Sequence, residues 1–124
     1  MDKLNYIMSK STTQYEKIKT EYVRSNYNVV EVGGATLGRK EELLDTFAKV
    51  LQFPSYFGRN WDALRDMLTD LSWLESRETA VLVKQYEPLQ HDPAYRTLLD
   101  VLNEAAGYWK EHNLPFDVVL FKDS

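Results

Sequence analysis

The sequence contains no cysteine, which excludes disulfide bonds, a thiolate nucleophile and Cys-ligated zinc or iron–sulfur sites. It has no apolar run near the roughly 18 residues that a membrane helix requires. The polar start of the chain, residues 1–5, lacks the apolar core of a signal peptide. No basic patch or stripe is present, which argues against direct nucleic-acid binding. We therefore expect a cytoplasmic protein without membrane contact.

The composition is typical of one globular domain, with 124 residues, 44% apolar and 27% charged. The charge is uneven along the chain. Residues 1–52 carry 8 Lys and Arg against 7 Asp and Glu, whereas residues 53–124 carry 7 against 12. This acidic excess in the second half favours a basic partner.

Three segments have the composition of β-strands. Residues 29–32 form a short segment rich in β-branched side chains, and the predicted strand ends at Gly33-Gly34. Residues 79–83 are almost continuously apolar, which is typical of a strand buried on both faces of a parallel sheet. Residues 116–121 form a third apolar segment. Helical patterns separate these strands, so we predict an α/β fold with a three-stranded parallel sheet.

Three segments have a helical period. Residues 41–51 place their apolar side chains on one stripe, and Phe53-Pro54 ends that helix. A second helix is predicted from Asn60 to about Leu71. Asp92-Pro93 starts a third, with Asp as N-cap and Pro at the first helical position, and this helix runs to about residue 112.

The first 27 residues are the least informative part of the chain. A helical spacing of apolar residues makes a short amphipathic helix plausible there. A strand and a disordered arm fit nearly as well. We treat residues 1–27 as an N-terminal extension and residues 28–124 as the main domain.

The predicted helix after Asn60 carries an acidic face. Asp62 and Asp66 lie at i and i+4, so their carboxylates are neighbours, and Arg65 lies on the same face. Periodicity alone favours an ordinary solvated face. The preceding Tyr56-Phe57-Gly58 instead favours a face that binds a partner. Aromatic side chains beside carboxylates suit a basic partner with pockets. The glycine permits unusual backbone angles.

The segment Leu-x-Phe-Pro-x-Tyr-Phe-Gly-x-Asn-Trp-Asp-Ala-Leu-x-Asp, within residues 51–66, resembles the signature of the barstar family, inhibitors of the ribonuclease barnase. The resemblance extends from about residue 29 to residue 121. It implies a three-layer α/β/α sandwich. It also implies a non-enzymatic inhibitor whose acidic helix and preceding loop plug a ribonuclease active site, with carboxylates in the places of RNA phosphates.

The resemblance assigns roles to individual positions. Tyr56 matches an aromatic that packs into the enzyme cleft, and Gly58 and Asn60 match contacts at the loop and helix start. Asp62 and Asp66 match two helix aspartates, of which the second is the principal phosphate mimic. Glu104 matches a further acidic contact. The full predicted partner-binding set is Tyr56, Phe57, Gly58, Arg59, Asn60, Asp62, Arg65, Asp66, Thr69, Asp70 and Glu104.

The sequence also departs from barstar. Arg59 stands where barstar has an acid and Arg65 where it has a tryptophan, so the binding face is less acidic than in barstar. Residues 1–27 have no counterpart in barstar. These departures bear on which ribonuclease is the target.

The expected function is that of an immunity protein that binds a basic ribonuclease or toxin domain 1:1, without a cofactor, a metal or a small-molecule substrate. An acidic adaptor on the same fold, with a basic partner that is no nuclease, is the alternative. A small hydrolase using Asp62 and Asp66 is a third. His91 and His112 lack neighbouring ligands at metal spacing, so we interpret them as solvated or capping residues.

Overall fold

The computed structural model describes residues 6–33, 39–84 and 92–122. Their elements follow the order β1 (Ile7–Ser11), α1 (Tyr15–Arg24), β2 (Asn28–Val32), α2 (Lys40–Val50), α3 (Trp61–Leu68), β3 (Thr79–Lys84), α4 (Pro93–Glu111) and β4 (Phe116–Lys122). A short 3-10 turn at Thr12–Gln14 leads from β1 into α1. The predicted α/β class and the three predicted strands and helices are confirmed.

Within the described residues, the sheet has four parallel strands in the order β1-β4-β3-β2. The sequence predicts three, and the fourth is β1, from the segment with the weakest signals. Three of its five residues are exposed, and it pairs with β4 at the sheet edge. Its strand identity therefore rests on tertiary pairing rather than on an alternating apolar pattern. The strands β3 and β4 pair in parallel, as predicted.

Helices cover both faces of the sheet. α2, α3 and α4 pack on one face over alternate strand residues, including Val81 and Val118. α1 covers the other face, where Tyr15 packs with Leu82 and Phe121. This is the three-layer α/β/α arrangement, and β3 is buried along almost its whole length. A short amphipathic helix, one of the three alternatives left open for residues 1–27, is present as α1 and supplies the third layer.

The helix after Asn60 is shorter than predicted. It ends at Leu68, and Leu71 takes a left-handed backbone conformation with φ 55°. This conformation turns the chain away while Leu71 stays fully buried. None of the helices in the described residues combines the length and apolar character needed to cross a membrane.

Candidate functional site

The acidic helix α3 begins at a well-formed cap. The backbone of Asn60 is extended, and its side-chain oxygen accepts a hydrogen bond of 2.7 Å from the Ala63 N–H. This satisfies one of the free donors of the first turn, as the sequence predicts. Asp62 lies in that first turn, where the helix dipole favours a negative charge. The start of the helix is therefore fixed in position.

α3 separates its apolar and acidic sides sharply. Leu64, Met67 and Leu68 are buried, whereas Asp62 and Asp66 are exposed. The burial of one side orients the two carboxylates toward solvent on the other. Within the described part of the chain, the Asp66 carboxylate makes no hydrogen bond and no ion pair. Asp66 is therefore available to an external cation.

Two further predicted residues lie at the end of α3. The Thr69 hydroxyl donates to the Arg65 carbonyl at 2.9 Å, which caps the last turn. Asp70 is exposed, and its Oδ1 accepts a 3.2 Å hydrogen bond from the Ser72 N–H. Asp70 extends the acidic face beyond the helix, whereas Thr69 uses its hydroxyl locally.

Arg65 links α3 to α4. Its Nη1 donates to Asp62 Oδ1 at 3.0 Å, and its Nη2 reaches Glu104 Oε1 at 3.4 Å. Its Nε lies 2.7 Å from Glu104 Oε2, a close charge contact that is not aligned as a hydrogen bond. Desolvation alone would lower the pKa of Arg65, but the two carboxylates outweigh it and raise that pKa. The structure thus brings Glu104 of α4 beside α3.

The two aromatics of the loop point in different directions. Tyr56 is 72% exposed. Phe57 is half-buried and packs edge-on against Phe53 with ring centroids 4.8 Å apart. Trp73 packs on Phe53 in turn, and its Nε1 donates to the Leu51 carbonyl at 2.9 Å. Tyr56 is therefore open to a partner, while Phe57 anchors the loop to the core.

The loop conformation depends on Arg59 rather than on the glycine before it. Arg59 has a left-handed φ of 55°, and its guanidinium donates to the Asp45 carboxylate on α2. This hydrogen bond lowers the pKa of Asp45. Gly58 does not take a left-handed φ, and a Cβ there would lie 3.4 Å from Asn60 Nδ2 and 3.5 Å from Ala63 Cβ. A glycine permits unusual backbone angles, but the left-handed conformation in this loop is that of Arg59.

Sequence reasoning missed Asp45, because nothing in the pattern of α2 marks one exposed acid as the partner of a residue in another loop. Trp73 supports the loop from beneath through its packing on Phe53 and its hydrogen bond to the Leu51 carbonyl. His112 lies at the C-cap of α4, where its Nδ1 is 2.7 Å from the Tyr108 carbonyl oxygen. This confirms its interpretation as a capping residue. His91 lies outside the described residues.

Comparison with protein families gives a match over most of this chain. The family model of barstar, described as the barnase inhibitor, matches residues 27–121. Comparison with curated proteins gives no significant match. The matched range contains the capped helix, its carboxylates, the aromatic loop and Glu104. The chain therefore belongs to the barstar family.

Proposed function

We propose that this protein inhibits a basic ribonuclease by inserting α3 and the loop at residues 53–60 into the active-site cleft of the enzyme. The observation that carries the proposal is the Asp66 carboxylate. It is exposed, it has no partner among the described residues, and it projects from a helix whose opposite side is buried. A fixed carboxylate of this kind is suited to occupy the position of an RNA phosphate.

The electrostatics support this mode of binding. An enzyme that binds a polyanion presents cations in its cleft, and opposite charge on the inhibitor speeds their encounter. The exposed Asp62 and Asp66 on α3 and the exposed Asp70 just beyond its end supply that charge. Because the helix is capped and packed before the encounter, little conformational entropy is lost on binding.

Tyr56 is the apolar anchor in this proposal. An exposed aromatic at the centre of an interface contributes strongly when it enters a pocket of the partner. Asn60, Gly58 and Asp62 contact the partner near the helix start, and Thr69, Asp70 and Glu104 form the rim. Phe57 and Arg59 act by holding the loop in shape. The proposed complex is 1:1 and protects the cytoplasm of the cell that makes the ribonuclease, without a catalytic role for this chain.

The test is affinity capture from the native cell, followed by an assay of RNA hydrolysis by the retained basic protein. We expect RNA cleavage that falls to zero when the inhibitor reaches an equimolar amount. The association rate should fall as ionic strength rises, while the dissociation rate changes less. A retained basic protein that does not cleave RNA would instead indicate the adaptor function and contradict the proposal.

The capture needs a matched control. Asp66→Ala should retain much less of the ribonuclease. Glu16→Ala removes the same charge from an exposed position of α1, on the opposite side of the sheet, and should retain the ribonuclease as the parent protein does. Equal retention by the two variants would indicate that net charge, rather than the α3 surface, holds the partner.

A further inference from the structure

Arg65 divides the acidic surface into two unlike parts. The first part, which we call the Arg65 bridge, consists of Asp62, Arg65 and Glu104, in which one guanidinium contacts both carboxylates. The second part consists of Asp66 and Asp70, which form no ion pair within the described residues. The negative charge available to a partner is therefore concentrated on the second part.

The bridge changes what a basic cleft encounters. Its two carboxylates and one guanidinium leave a single net negative charge, and the Arg65 side chain remains 36% exposed. A partner cation placed opposite Glu104 faces a carboxylate that is already paired with Arg65. The same cation is also repelled by the positive charge of the Arg65 guanidinium. Such juxtaposition costs affinity and is a common device for rejecting unsuitable partners.

We propose that Arg65 is a specificity-determining residue. It selects partners whose cations cluster opposite Asp66 and Asp70, and it rejects clefts that place a cation opposite Glu104. This inference rests on the proposed function, because it concerns which ribonucleases the same surface accepts. The partner is then a ribonuclease with a cleft that is strongly basic opposite Asp66 and Asp70 and that accommodates the Arg65 guanidinium on its other side.

The test replaces Arg65→Gln and measures association with barnase by stopped flow. Barnase serves as the probe because the family description names it. The matched control is Lys17→Gln, which removes one positive charge from exposed α1 on the opposite side of the sheet. We expect the Arg65 variant to associate about tenfold faster than the parent, with a steeper dependence on salt. The Lys17 variant should differ little from the parent.

A second variant keeps the test decisive if the loss of Arg65 disturbs folding. Glu104→Gln leaves Arg65 in place with one carboxylate fewer, so barnase should bind it more weakly than the parent. Urea unfolding of each variant shows whether α3 remains packed. The inference is overturned if Arg65→Gln matches Lys17→Gln, if it binds barnase more weakly than the parent, or if it does not bind barnase at all.

This outcome is separable from that of the proposed function. The proposed function is tested by RNA cleavage in the captured partner, and it can fail while the comparison of Arg65 and Lys17 variants succeeds. Conversely, a captured ribonuclease that the parent protein inhibits leaves the proposed function standing even if Arg65→Gln has no effect on barnase. The two ideas therefore succeed or fail on different measurements.

Discussion

Two carboxylates on the α1 side of the sheet, those of Glu31 and Asp117, are hydrogen-bonded to tyrosines, whereas Asp66 on the opposite side is exposed. The Tyr15 hydroxyl donates to Glu31 at 2.5 Å, and the Tyr22 hydroxyl donates to Asp117 at 2.7 Å. Asp66 has no such partner among the described residues. The α1 side uses these acids to attach a helix to the sheet, and the α3 side leaves Asp66 exposed and unpaired among the described residues.

This difference separates stability from binding. An acid that is already hydrogen-bonded contributes to folding, and the folded state loses stability when the pair is broken. An exposed, unpaired acid contributes little to folding and is available for association. Substitutions on the two sides of the sheet should therefore have opposite consequences.

The largest expected effect is on binding. Asp66→Ala should weaken association with the captured ribonuclease by about 2–5 kcal/mol, because the enzyme's buried cations lose their partner. Part of this range was measured on charge pairs of the barnase–barstar complex, so the magnitude is that of the family and is not calculated from this structure. The unfolding free energy of this variant should equal that of the parent protein or be slightly higher. The substitution removes one of the two like charges at Asp62 and Asp66, and alanine favours the helix.

Isothermal titration and urea unfolding of the same Asp66→Ala preparation provide both numbers. Tyr56→Ala and Asp62→Ala should weaken binding less. If Asp66→Ala binds as tightly as the parent protein, the phosphate-mimic role is wrong and the acidic face of α3 is merely solvated.

The α1 side should respond to alkaline pH. Burial and hydrogen bonds to Glu31 and Asp117 raise the pKa values of Tyr15 and Tyr22 above the ordinary 10.0. The stability from these phenols is fully present below pH 10. Above it, the unfolded chain loses its phenol protons first, so the unfolding free energy should fall as pH rises. Urea titrations from about pH 8 to about pH 11 measure the slope, which Tyr22→Phe should reduce.

At neutral pH, Tyr22→Phe should lower the unfolding free energy by about 1–2 kcal/mol, because Asp117 loses its donor. Tyr27→Phe is the control, since the half-buried Tyr27 packs on Tyr22 but its hydroxyl makes no hydrogen bond within the described residues. Urea unfolding should show a smaller loss for it. Because both substitutions keep the aromatic ring, equal losses would show that the hydrogen bond to Asp117 does not stabilise the α1 side.

The smallest expected effect concerns the loop before α3. Gly58→Ala should change the unfolding free energy by less than about 0.5 kcal/mol, because the added Cβ meets its neighbours at ordinary contact distance. Thermal unfolding is sufficient to measure it. A loss of more than about 1 kcal/mol would mean that the loop depends on glycine, and would contradict the importance assigned to Arg59.

The elements with strong local signals are predictable from the sequence. Asn60 and Asp92 mark helix starts because capping is local chemistry, and the structure shows both caps. β1 has no comparable signal, because an exposed edge strand needs no apolar alternation. The division into an extension of residues 1–27 and a domain of residues 28–124 stays a prediction, although β1 is a strand of the same sheet as β2, β3 and β4 and α1 packs on that sheet.

The candidate site is predictable in its residues but not in all of its contacts. The i, i+4 spacing places Asp62 and Asp66 on one face. The contact between Arg65 and Glu104 joins two helices, so no local pattern could locate it. The inward position of Phe57 likewise depends on Phe53 and on the packing of Trp73 beneath the loop.

The pairing of β1 with β4 has a consequence for how the protein is assembled. The first strand of the sheet joins the last, so this contact closes nearly the whole chain and carries a large loop-closure entropy. Such non-local contacts slow folding. During synthesis β1 leaves the ribosome long before β4 has been translated. It has no pairing partner in the sheet until β4 has also left the ribosome. Among the strands of this sheet, β1 is therefore synthesised first but can pair with its neighbour only after the last strand, β4, has been made.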